Sequence, residues 1–321
     1  MFWNDSIDPA IEPAKVLLKR GEFVDENRPD ENGNARVVPF KIYHPADHDF
    51  DRLPLIVWSH GFGGNRDGAS FLSRYLASHG YVVAHITHHG TDSSLWEGKD
   101  GHPWDILRQA KVSRETTLNR FYDVPFALDQ IKIWTLETPE IGDLLDFENI
   151  GMSGHSFGAL TTQVMAGMMI PNQDGDLIRL REERFKAGIL YSPVPIAHLS
   201  DAPPEDLYGP IDIPLLHMTG TQDTSPLEGF DYDYRLVVYE YTRHPEKYLL
   251  VKQEGDHMVY NGTRGKLEVN PNRERHEEII KIGALAFWAA HLKNDEKARE
   301  WLSEGGYADY IGADGKFEAQ G

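Results

Sequence analysis

A pentapeptide of sequence Gly-His-Ser-Phe-Gly at residues 154–158 constrains the fold of this chain more than any other feature. The apolar segment at residues 147–152 before it predicts a β-strand, and residues 158–166 after it predict an α-helix. In a Gly-x-Ser-x-Gly at such a junction the serine occupies a tight, strained turn, and side chains at the two glycine positions would collide with the neighbouring strand and helix. The motif therefore predicts a strand, a sharp turn that carries Ser156, and a helix whose N-terminus favours negative charge.

Strands and helices alternate along most of the chain. Apolar runs typical of buried strands lie at residues 53–59, 81–87, 147–152, 187–191, 214–219 and 248–252. Stretches that predict helices lie at residues 69–79, 116–136, 157–169 and 273–293. Near the start, residues 16–20 and 35–43 predict an antiparallel pair of strands around a turn-rich segment at residues 28–34. This order predicts an α/β fold with a mostly parallel, twisted sheet and helices on both faces, in which active sites lie at the carboxyl ends of the strands.

A length of 321 residues suits one large α/β domain, which we assign to residues 1–294. The remaining residues, 295–321, predict one amphipathic turn of helix and a mobile tail. Two segments, 91–112 and 193–214, interrupt the alternation after strands whose carboxyl ends lie at the expected site. Loops of this length are often functional, so each segment is expected either to form a lid over the site or to be a surface excursion.

The composition excludes several kinds of partner and chemistry. Acidic residues outnumber basic ones by 51 to 32, and the net charge of −19 disfavours binding to nucleic acid or to an anionic membrane. The absence of cysteine rules out disulfides, a thiol nucleophile and thiolate metal sites. No basic and then apolar leader opens the sequence, and the longest apolar stretch, around residues 283–290, is too short to span a bilayer. We therefore expect a cytoplasmic protein without a membrane span.

Neither a metal nor a nucleotide cofactor is indicated. His85 and His88 would point to opposite faces of a strand, and with His89 they lack a nearby carboxylate to complete a metal site. The glycines of residues 61–64 follow a strand, as in a dinucleotide-binding motif, but Arg66 stands where the third glycine is needed. Packing or pocket-lining roles are therefore expected for the three histidines.

A serine hydroxyl becomes a nucleophile when a base takes its proton and an acid orients that base. The candidate acid is Asp223, because the apolar strand at residues 214–219 ends in a turn just before it. Asp201 and Asp212 are alternative acids, and Asp223 is alternatively a turn residue bonded to its own backbone.

The candidate base is His257, which follows the strand at residues 248–252 across a short turn. Its competitors are less well placed: His244 stands before the strand, whereas His276 and His291 lie on the C-terminal helix. Because parallel strands end at one edge of a sheet, the nucleophile, the acid and the base are expected to meet there.

An oxyanion hole requires two backbone N–H groups aimed at the developing charge. One is predicted at Phe157, directly after the serine, and the other at Phe62 in the loop His-Gly-Phe-Gly-Gly at residues 60–64. A tight glycine turn without a catalytic role is the alternative for this loop. An apolar pocket for an acyl or aryl group is expected from six side chains near these positions, namely Phe62, Phe157, Trp96, Trp104, Met258 and Tyr260.

Three segments, at residues 54–64, 76–84 and 154–159, carry a family resemblance. They resemble the α/β-hydrolase superfamily and, more narrowly, the predicted dienelactone-hydrolase and platelet-activating-factor acetylhydrolase-like esterases, which are related to cutinases and chlorophyllases. The resemblance extends from about residue 37 to residue 257. It implies a catalytic triad and an oxyanion hole, formed by Ser156, Asp223, His257, Phe62 and Phe157.

The chain departs from these relatives in its cysteines and in one turn. Dienelactone hydrolases proper use a cysteine nucleophile and many secreted cutinases carry a cysteine pair, whereas this chain has no cysteine. Residues 87–90 read Thr-His-His-Gly where these esterases often have Asp-His-Pro-Gly. The missing cysteine argues against dienelactone hydrolysis.

The candidate residues and the resemblance together predict a serine carboxylesterase that works through an acyl-enzyme and without a cofactor. Its expected partners are small-molecule esters with short-to-medium acyl chains or aromatic groups. A phospholipid-type acetylhydrolase or a lipase is the alternative within enzymes. A non-catalytic protein of hydrolase fold that binds a small ligand is the alternative from another class.

Overall fold

The computed structural model of the chain describes residues 2–29, 33–46, 49–262 and 270–321. Eleven strands lie within this part of the chain: β1 Lys15–Asp25, β2 Arg36–Ala46, β3 Leu53–Ser59, β4 Val82–Ile86, β5 Leu145–His155, β6 Met169–Pro171, β7 Leu177–Arg179, β8 Phe185–Tyr191, β9 Leu215–Gln222, β10 Lys247–Asp256 and β11 Gly315–Gln320. Nine of them form one sheet in the order β1-β2-β4-β3-β5-β8-β9-β10-β11, and β6 and β7 form a separate pair.

The centre of the sheet is parallel and its edges are antiparallel. Strands β4, β3, β5, β8, β9 and β10 run parallel to one another, whereas β1 and β2 at one edge and β11 at the other run antiparallel to their neighbours. Every residue of β3 and β4 is buried, which explains why the two strands are continuous apolar runs in the sequence. The predicted α/β class, with a mostly parallel sheet, is confirmed.

Helices cover both faces of this sheet. They are α1 Ser70–Ser78, α2 Pro103–Gln109, α3 Arg114–Leu136, α4 Pro139–Gly142, α5 Phe157–Met165, α6 Pro204–Tyr208, α7 Tyr232–Tyr241, α8 Arg273–Leu292, α9 Glu296–Ser303 and α10 Gly306–Ile311. One apolar core contains residues of α1 and α8, and a second core on the other face contains residues of α3 and α5. No helix in the described ranges is both long and apolar enough to cross a membrane.

The C-terminal segment differs from the expected turn of helix and mobile tail. Residues 295–321 form α9, α10 and β11, and β11 pairs with β10 from Lys247 opposite Gln320 to Lys252 opposite Gly315. Its residues alternate between half-buried and exposed, a two-residue period that a short polar tail hides in the sequence. Phe317 packs edge-on against Tyr307, with ring centroids 4.7 Å apart.

The first residues of the chain pack against this same C-terminal segment. The Phe2 ring lies 5.1 Å from the Tyr310 ring, and the Trp3 ring lies 5.2 Å from the Trp301 ring, between centroids. These contacts join the two ends of the described chain on one face of the sheet.

Candidate active site

Ser156 lies where β5 turns into α5, as the pentapeptide predicts. Its backbone has φ 55° and ψ −117°, a conformation that costs a non-glycine residue energy. A Cβ at Gly154 would collide with the backbone of Gly158, and a Cβ at Gly158 would collide with the carbonyl group of Ser59. The Ser156 N–H donates to the carbonyl of Tyr191 on β8 at 2.9 Å, which ties the turn to the neighbouring strand.

His257 and Asp223 meet at the carboxyl ends of β10 and β9. His257 Nδ1 donates to Asp223 Oδ1 at 2.7 Å, and both residues are buried. The two strands are parallel neighbours, with Gln222 opposite Asp256, so the residue after each strand end is brought to the same place.

The alternative acids and bases lie elsewhere. Asp212 is half-exposed and pairs with Arg179 and Arg181, and Asp201 is exposed. Three other histidines bond to groups away from the serine: His244 to Glu246, His276 to Gln253 and His291 to Tyr248. Of the acids and bases considered in the sequence, the structure therefore joins only Asp223 and His257 to each other.

Four buried contacts hold Asp223 as a carboxylate. Its Oδ2 accepts hydrogen bonds from Ser192 Oγ at 2.6 Å and from Thr219 Oγ1 at 2.8 Å. Its Oδ1 accepts from His257 and lies 3.1 Å from Arg235 Nε. Burial by itself raises the pKa of Asp223, but the Arg235 charge and the contact with His257 outweigh burial and hold that pKa below its ordinary value.

Sequence reasoning missed several residues that position this pair. Arg235 lies on α7, a helix outside the predicted elements, and it donates from Nη1 to the Pro193 carbonyl at 2.9 Å. Ser192 has a strained φ of 56° directly after β8. His155 Nε2 donates to the carbonyl of His257 at 2.8 Å. Only His155, as part of the pentapeptide, carries a signal in the sequence that points to the site.

Ser156 and His257 line the same cavity of about 550 Å³. No hydrogen bond joins Ser156 Oγ to His257 within the described residues. Catalytic hydrogen bonds are commonly long without substrate and shorten in the complex.

Two backbone N–H groups beside Ser156 have no acceptor in the described part of the chain. They belong to Phe62 and Phe157, whose ring centroids lie 6.2 Å apart. Phe157 is the first residue of α5, where an N–H lacks an intrahelical partner. Both N–H groups are therefore available for hydrogen bonding.

The loop at residues 60–64 is held by contacts at Gly63. The Gly63 N–H donates to the carbonyl of Thr91 at 2.8 Å, and the Gly63 carbonyl accepts from Trp96 Nε1 at 2.7 Å. Trp96 thus has a second role besides lining the cavity, because its indole N–H fixes the loop that carries Phe62.

A fully buried cation lies beneath the same loop. Arg120 donates to Ser59 Oγ at 2.8 Å and to the carbonyl of His60, and its guanidinium lies 4.5 Å from the centre of the Phe157 ring. Burial lowers the pKa of Arg120 to about 9, so the group stays charged at neutral pH. The cation contacts both segments that carry the candidate oxyanion N–H groups.

His88 connects this cation to a buried carboxylate. His88 Nε2 accepts from Ser59 Oγ at 2.9 Å, and His88 Nδ1 donates to Asp123 at 3.0 Å. Arg36 donates to both oxygens of Asp123, at 2.6 and 2.7 Å. Burial lowers the pKa of His88 to about 4, which keeps the imidazole neutral. The three side chains of this second Ser-His-Asp arrangement are completely buried.

The predicted pocket residues divide between two cavities. Trp96, Trp104 and Met258 line the cavity of about 550 Å³, and Phe157 lines a second cavity of about 250 Å³. Phe62 lines both cavities.

The assignment of Tyr260 to the pocket is wrong. Tyr260 is buried and lines neither cavity, because the short 3₁₀ turn Val259–Asn261 directs its ring into the core. There the ring packs against His155 and Tyr191, at centroid distances of 5.8 and 5.4 Å, and its hydroxyl bonds to Lys252.

The two irregular segments form walls of these cavities. Residues 91–112 carry α2 and supply Trp96, Trp104 and Leu107 to the larger cavity. Residues 193–214 supply Val194 and neighbouring residues to the smaller one. A third segment, residues 225–230, contributes to both cavities and was not singled out in the sequence.

Comparison with known proteins identifies similar sequences. The family model described as platelet-activating factor acetylhydrolase, isoform II, matches residues 34–98, which contain the loop at residues 60–64. The platelet-activating factor acetylhydrolase of Canis lupus familiaris is 30% identical over 138 residues, covering 35% of this chain and 31% of that protein.

Two further relatives match longer stretches. The platelet-activating factor acetylhydrolase of Cavia porcellus is 24% identical over 307 residues, covering 83% of this chain and 63% of the relative. A putative phospholipase A2 of Schizosaccharomyces pombe is 26% identical over 202 residues, covering 50% of this chain and 45% of the relative. The matches thus span from about a third to just under two thirds of the acetylhydrolases. These findings confirm that the chain resembles the platelet-activating-factor acetylhydrolase-like group of α/β-hydrolase serine esterases.

Proposed function

We propose that this protein is a serine carboxylesterase. The observation that carries the proposal is the strained turn of Ser156, which lines one cavity together with His257 while His257 is bonded to the buried carboxylate of Asp223. In this mechanism His257 takes the proton of Ser156 as the hydroxyl attacks the ester carbonyl. Asp223 keeps the imidazole oriented and stabilises its charged form.

The same residues complete the reaction. The N–H groups of Phe62 and Phe157 donate to the oxygen of the tetrahedral intermediate. His257 returns the proton to the departing alcohol and then activates a water molecule, which releases the acid from Ser156.

The proposed substrates are esters with short-to-medium acyl chains or aromatic groups. Indole and thioether side chains at Trp96, Trp104 and Met258 line the larger cavity and favour apolar groups. The acetylhydrolase and phospholipase names of the relatives favour a second candidate, a phospholipid-type acetylhydrolase.

Hydrolysis of p-nitrophenyl esters from acetate to palmitate tests the proposal, together with labelling by a fluorophosphonate. We expect hydrolysis that is fastest for short or medium chains, and one label per chain on Ser156. A long-chain optimum would favour a lipase. A folded protein that hydrolyses no ester and takes no label would instead be a binding protein of hydrolase fold.

The hydrogen bond from Trp96 to Gly63 predicts a selective loss of turnover. We expect Trp96→Phe to lower kcat for p-nitrophenyl butyrate by about 10-fold, because the loop that carries the Phe62 N–H loses its anchor. The matched control is Trp104→Phe, since Trp104 lines the same cavity and its indole N–H makes no hydrogen bond within the described residues. Steady-state kinetics of both variants check this result. Equal kcat values for the two variants would contradict a positioning role of Trp96.

A further inference from the structure

Arg235 and His257 share one oxygen of the Asp223 carboxylate. His257 Nδ1 lies 2.7 Å from Asp223 Oδ1, and Arg235 Nε lies 3.1 Å from the same oxygen. Arg235 Nη2 lies 3.2 Å from His257 Nδ1. Because this Nδ1 carries the proton that it donates to Asp223, the last contact brings a cation against a second donor. All three residues are buried, so water screens their charges only weakly.

Neutral groups hold the Arg235 guanidinium in this position. Its Nε also donates to the backbone carbonyl of Asp223 at 3.0 Å, and its Nη1 donates to the carbonyl of Pro193 at 2.9 Å. The guanidinium lies 5.0 Å from the centre of the Phe230 ring. Since a guanidinium stays charged at neutral and acidic pH, a permanent positive charge is fixed beside the candidate base.

This charge opposes the protonated form of His257. During hydrolysis the imidazole takes the Ser156 proton and becomes a cation, which Asp223 stabilises and Arg235 destabilises. The same balance holds in the free enzyme, because a proton taken up from solution produces the same imidazolium. An imidazole that is already protonated cannot accept the serine proton, so a nearby cation extends activity to lower pH.

Other titratable groups surround the pair of Asp223 and His257. They are His155 on β5, Lys252 and Asp256 on β10, Tyr260 in the turn Val259–Asn261, and Glu228 in the segment at residues 225–230. Burial lowers the pKa of His155 and raises that of Tyr260, so both side chains are neutral between pH 5 and 8.5. Asp256 accepts from the backbone N–H groups of Met258 and Val259, and Glu228 accepts from the Ser225 hydroxyl.

Lys252 is a second buried cation near the pair. Burial lowers its pKa to about 7, so its charge increases as the pH falls below that value. Its Nζ donates to the carbonyl of Thr219 at 3.1 Å and bonds to the Tyr260 hydroxyl, whereas Arg235 contacts His257 itself. Arg235 is therefore the cation that is placed to act most strongly on the candidate base.

We propose that Arg235 is a positioning residue that shares Asp223 with His257 and keeps His257 neutral, and so active as a base, in mildly acidic solution. The inference rests on the serine hydrolysis proposed above. A residue that only held Asp223 in place would affect turnover equally at every pH. A fixed charge beside the base instead affects the pH at which activity is lost.

Two variants of similar side-chain length separate charge from shape. Arg235→Lys retains a positive charge, and Arg235→Met replaces it by an uncharged chain. For both, kcat/KM for p-nitrophenyl acetate is measured from about pH 5 to about pH 8.5, because the pH profile of this constant reports the free enzyme. Tryptophan fluorescence at each pH verifies that the variant is folded where its activity is compared.

We expect the midpoint of the acid limb to lie about 1 pH unit or more higher in Arg235→Met than in Arg235→Lys, since a charge within about 6 Å shifts a titration by this amount. At about pH 5.5 this shift corresponds to a kcat/KM that is about 10-fold lower in Arg235→Met. Near pH 8.5, where His257 is neutral in both, the two variants are expected to agree within about 3-fold.

The matched control is Arg184→Met, which removes the same charge elsewhere. Arg184 pairs with Glu182 and Asp129 directly before β8, and thus at the opposite edge of the sheet from His257. Its acid limb is expected to coincide with that of the unmodified protein.

Coincident acid limbs in Arg235→Lys and Arg235→Met would overturn the proposal, and so would an equal shift in Arg184→Met. If Arg235→Met does not fold, Arg235→Gln removes the same charge and takes its place in the comparison. An unmodified protein without esterase activity or fluorophosphonate label would refute the proposed function itself. An active enzyme whose acid limb does not move would refute only the role of Arg235.

Discussion

Replacing Ser156 by alanine is expected to lower kcat for p-nitrophenyl butyrate by about 10⁴-fold or more, because the acyl-enzyme then has no nucleophile. Alanine keeps a Cβ at the strained φ of 55°, so the turn is retained and the free energy of unfolding is expected to change by less than about 1 kcal/mol. Steady-state kinetics and urea unfolding of the same preparation separate the two effects.

The buried arrangement at Ser59 provides the critical comparison. Ser59 is also hydrogen-bonded to a histidine, His88, which is in turn hydrogen-bonded to an aspartate, Asp123. All three side chains are buried. We expect Ser59→Ala to retain fluorophosphonate labelling and Ser156→Ala to lose it. Loss of the label in Ser59→Ala, with labelling intact in Ser156→Ala, would show that Ser59 is the nucleophile and would contradict the assignment to Ser156.

Acid is expected to destabilise the protein strongly between pH 6.5 and 4. Burial lowers the pKa of four histidines from 6.5 to about 3 or 4, namely His85, His88, His217 and His291. In this pH range the unfolded chain binds protons at these side chains and the folded protein does not, so their stabilising contribution is complete above pH 6.5 and falls as the pH falls. From pH 7.5 to pH 5 each is expected to lower the free energy of unfolding by about 2 kcal/mol.

Four such contributions are comparable to the whole stability of a typical domain, which is about 5–15 kcal/mol. Urea unfolding at pH 7.5 and pH 5 measures the effect. His217→Leu is expected to reduce the difference between the two pH values by about 2 kcal/mol, whatever its effect on stability at pH 7.5. The exposed His198 is the control, and His198→Gln is expected to leave the difference unchanged. A free energy of unfolding that is the same at both pH values would contradict the neutral, buried state of these histidines.

Much of the sheet and of the candidate site was predictable because one physical rule links them. Continuous apolar runs predict buried parallel strands, and parallel strands end at a common edge. The residues that follow β9 and β10, Asp223 and His257, are therefore brought together without any knowledge of side-chain packing. The glycines around Ser156 locate the turn because only hydrogen fits beside the neighbouring backbone. Whether these residues catalyse a reaction stays a prediction.

The residues that escaped prediction act through contacts between distant elements. Arg235 reaches Asp223 from α7, and Arg120 reaches the loop at residues 60–64 from α3; neither position is marked by a local pattern. Tyr260 was misassigned because an aromatic side chain near a site has no preferred direction until the turn that carries it is known. β11 was missed because its six residues alternate too briefly to stand out from a polar tail.

The aromatic contacts between the two ends of the chain have a consequence for synthesis. Trp3 packs on Trp301, about 300 residues later, and β11 completes the sheet only when residues 315–320 have been made. At a translation rate of about 5–20 residues per second, roughly 15 to 60 seconds pass between the synthesis of Trp3 and that of Trp301. During that time Trp3 lacks the ring that it packs against in the folded protein.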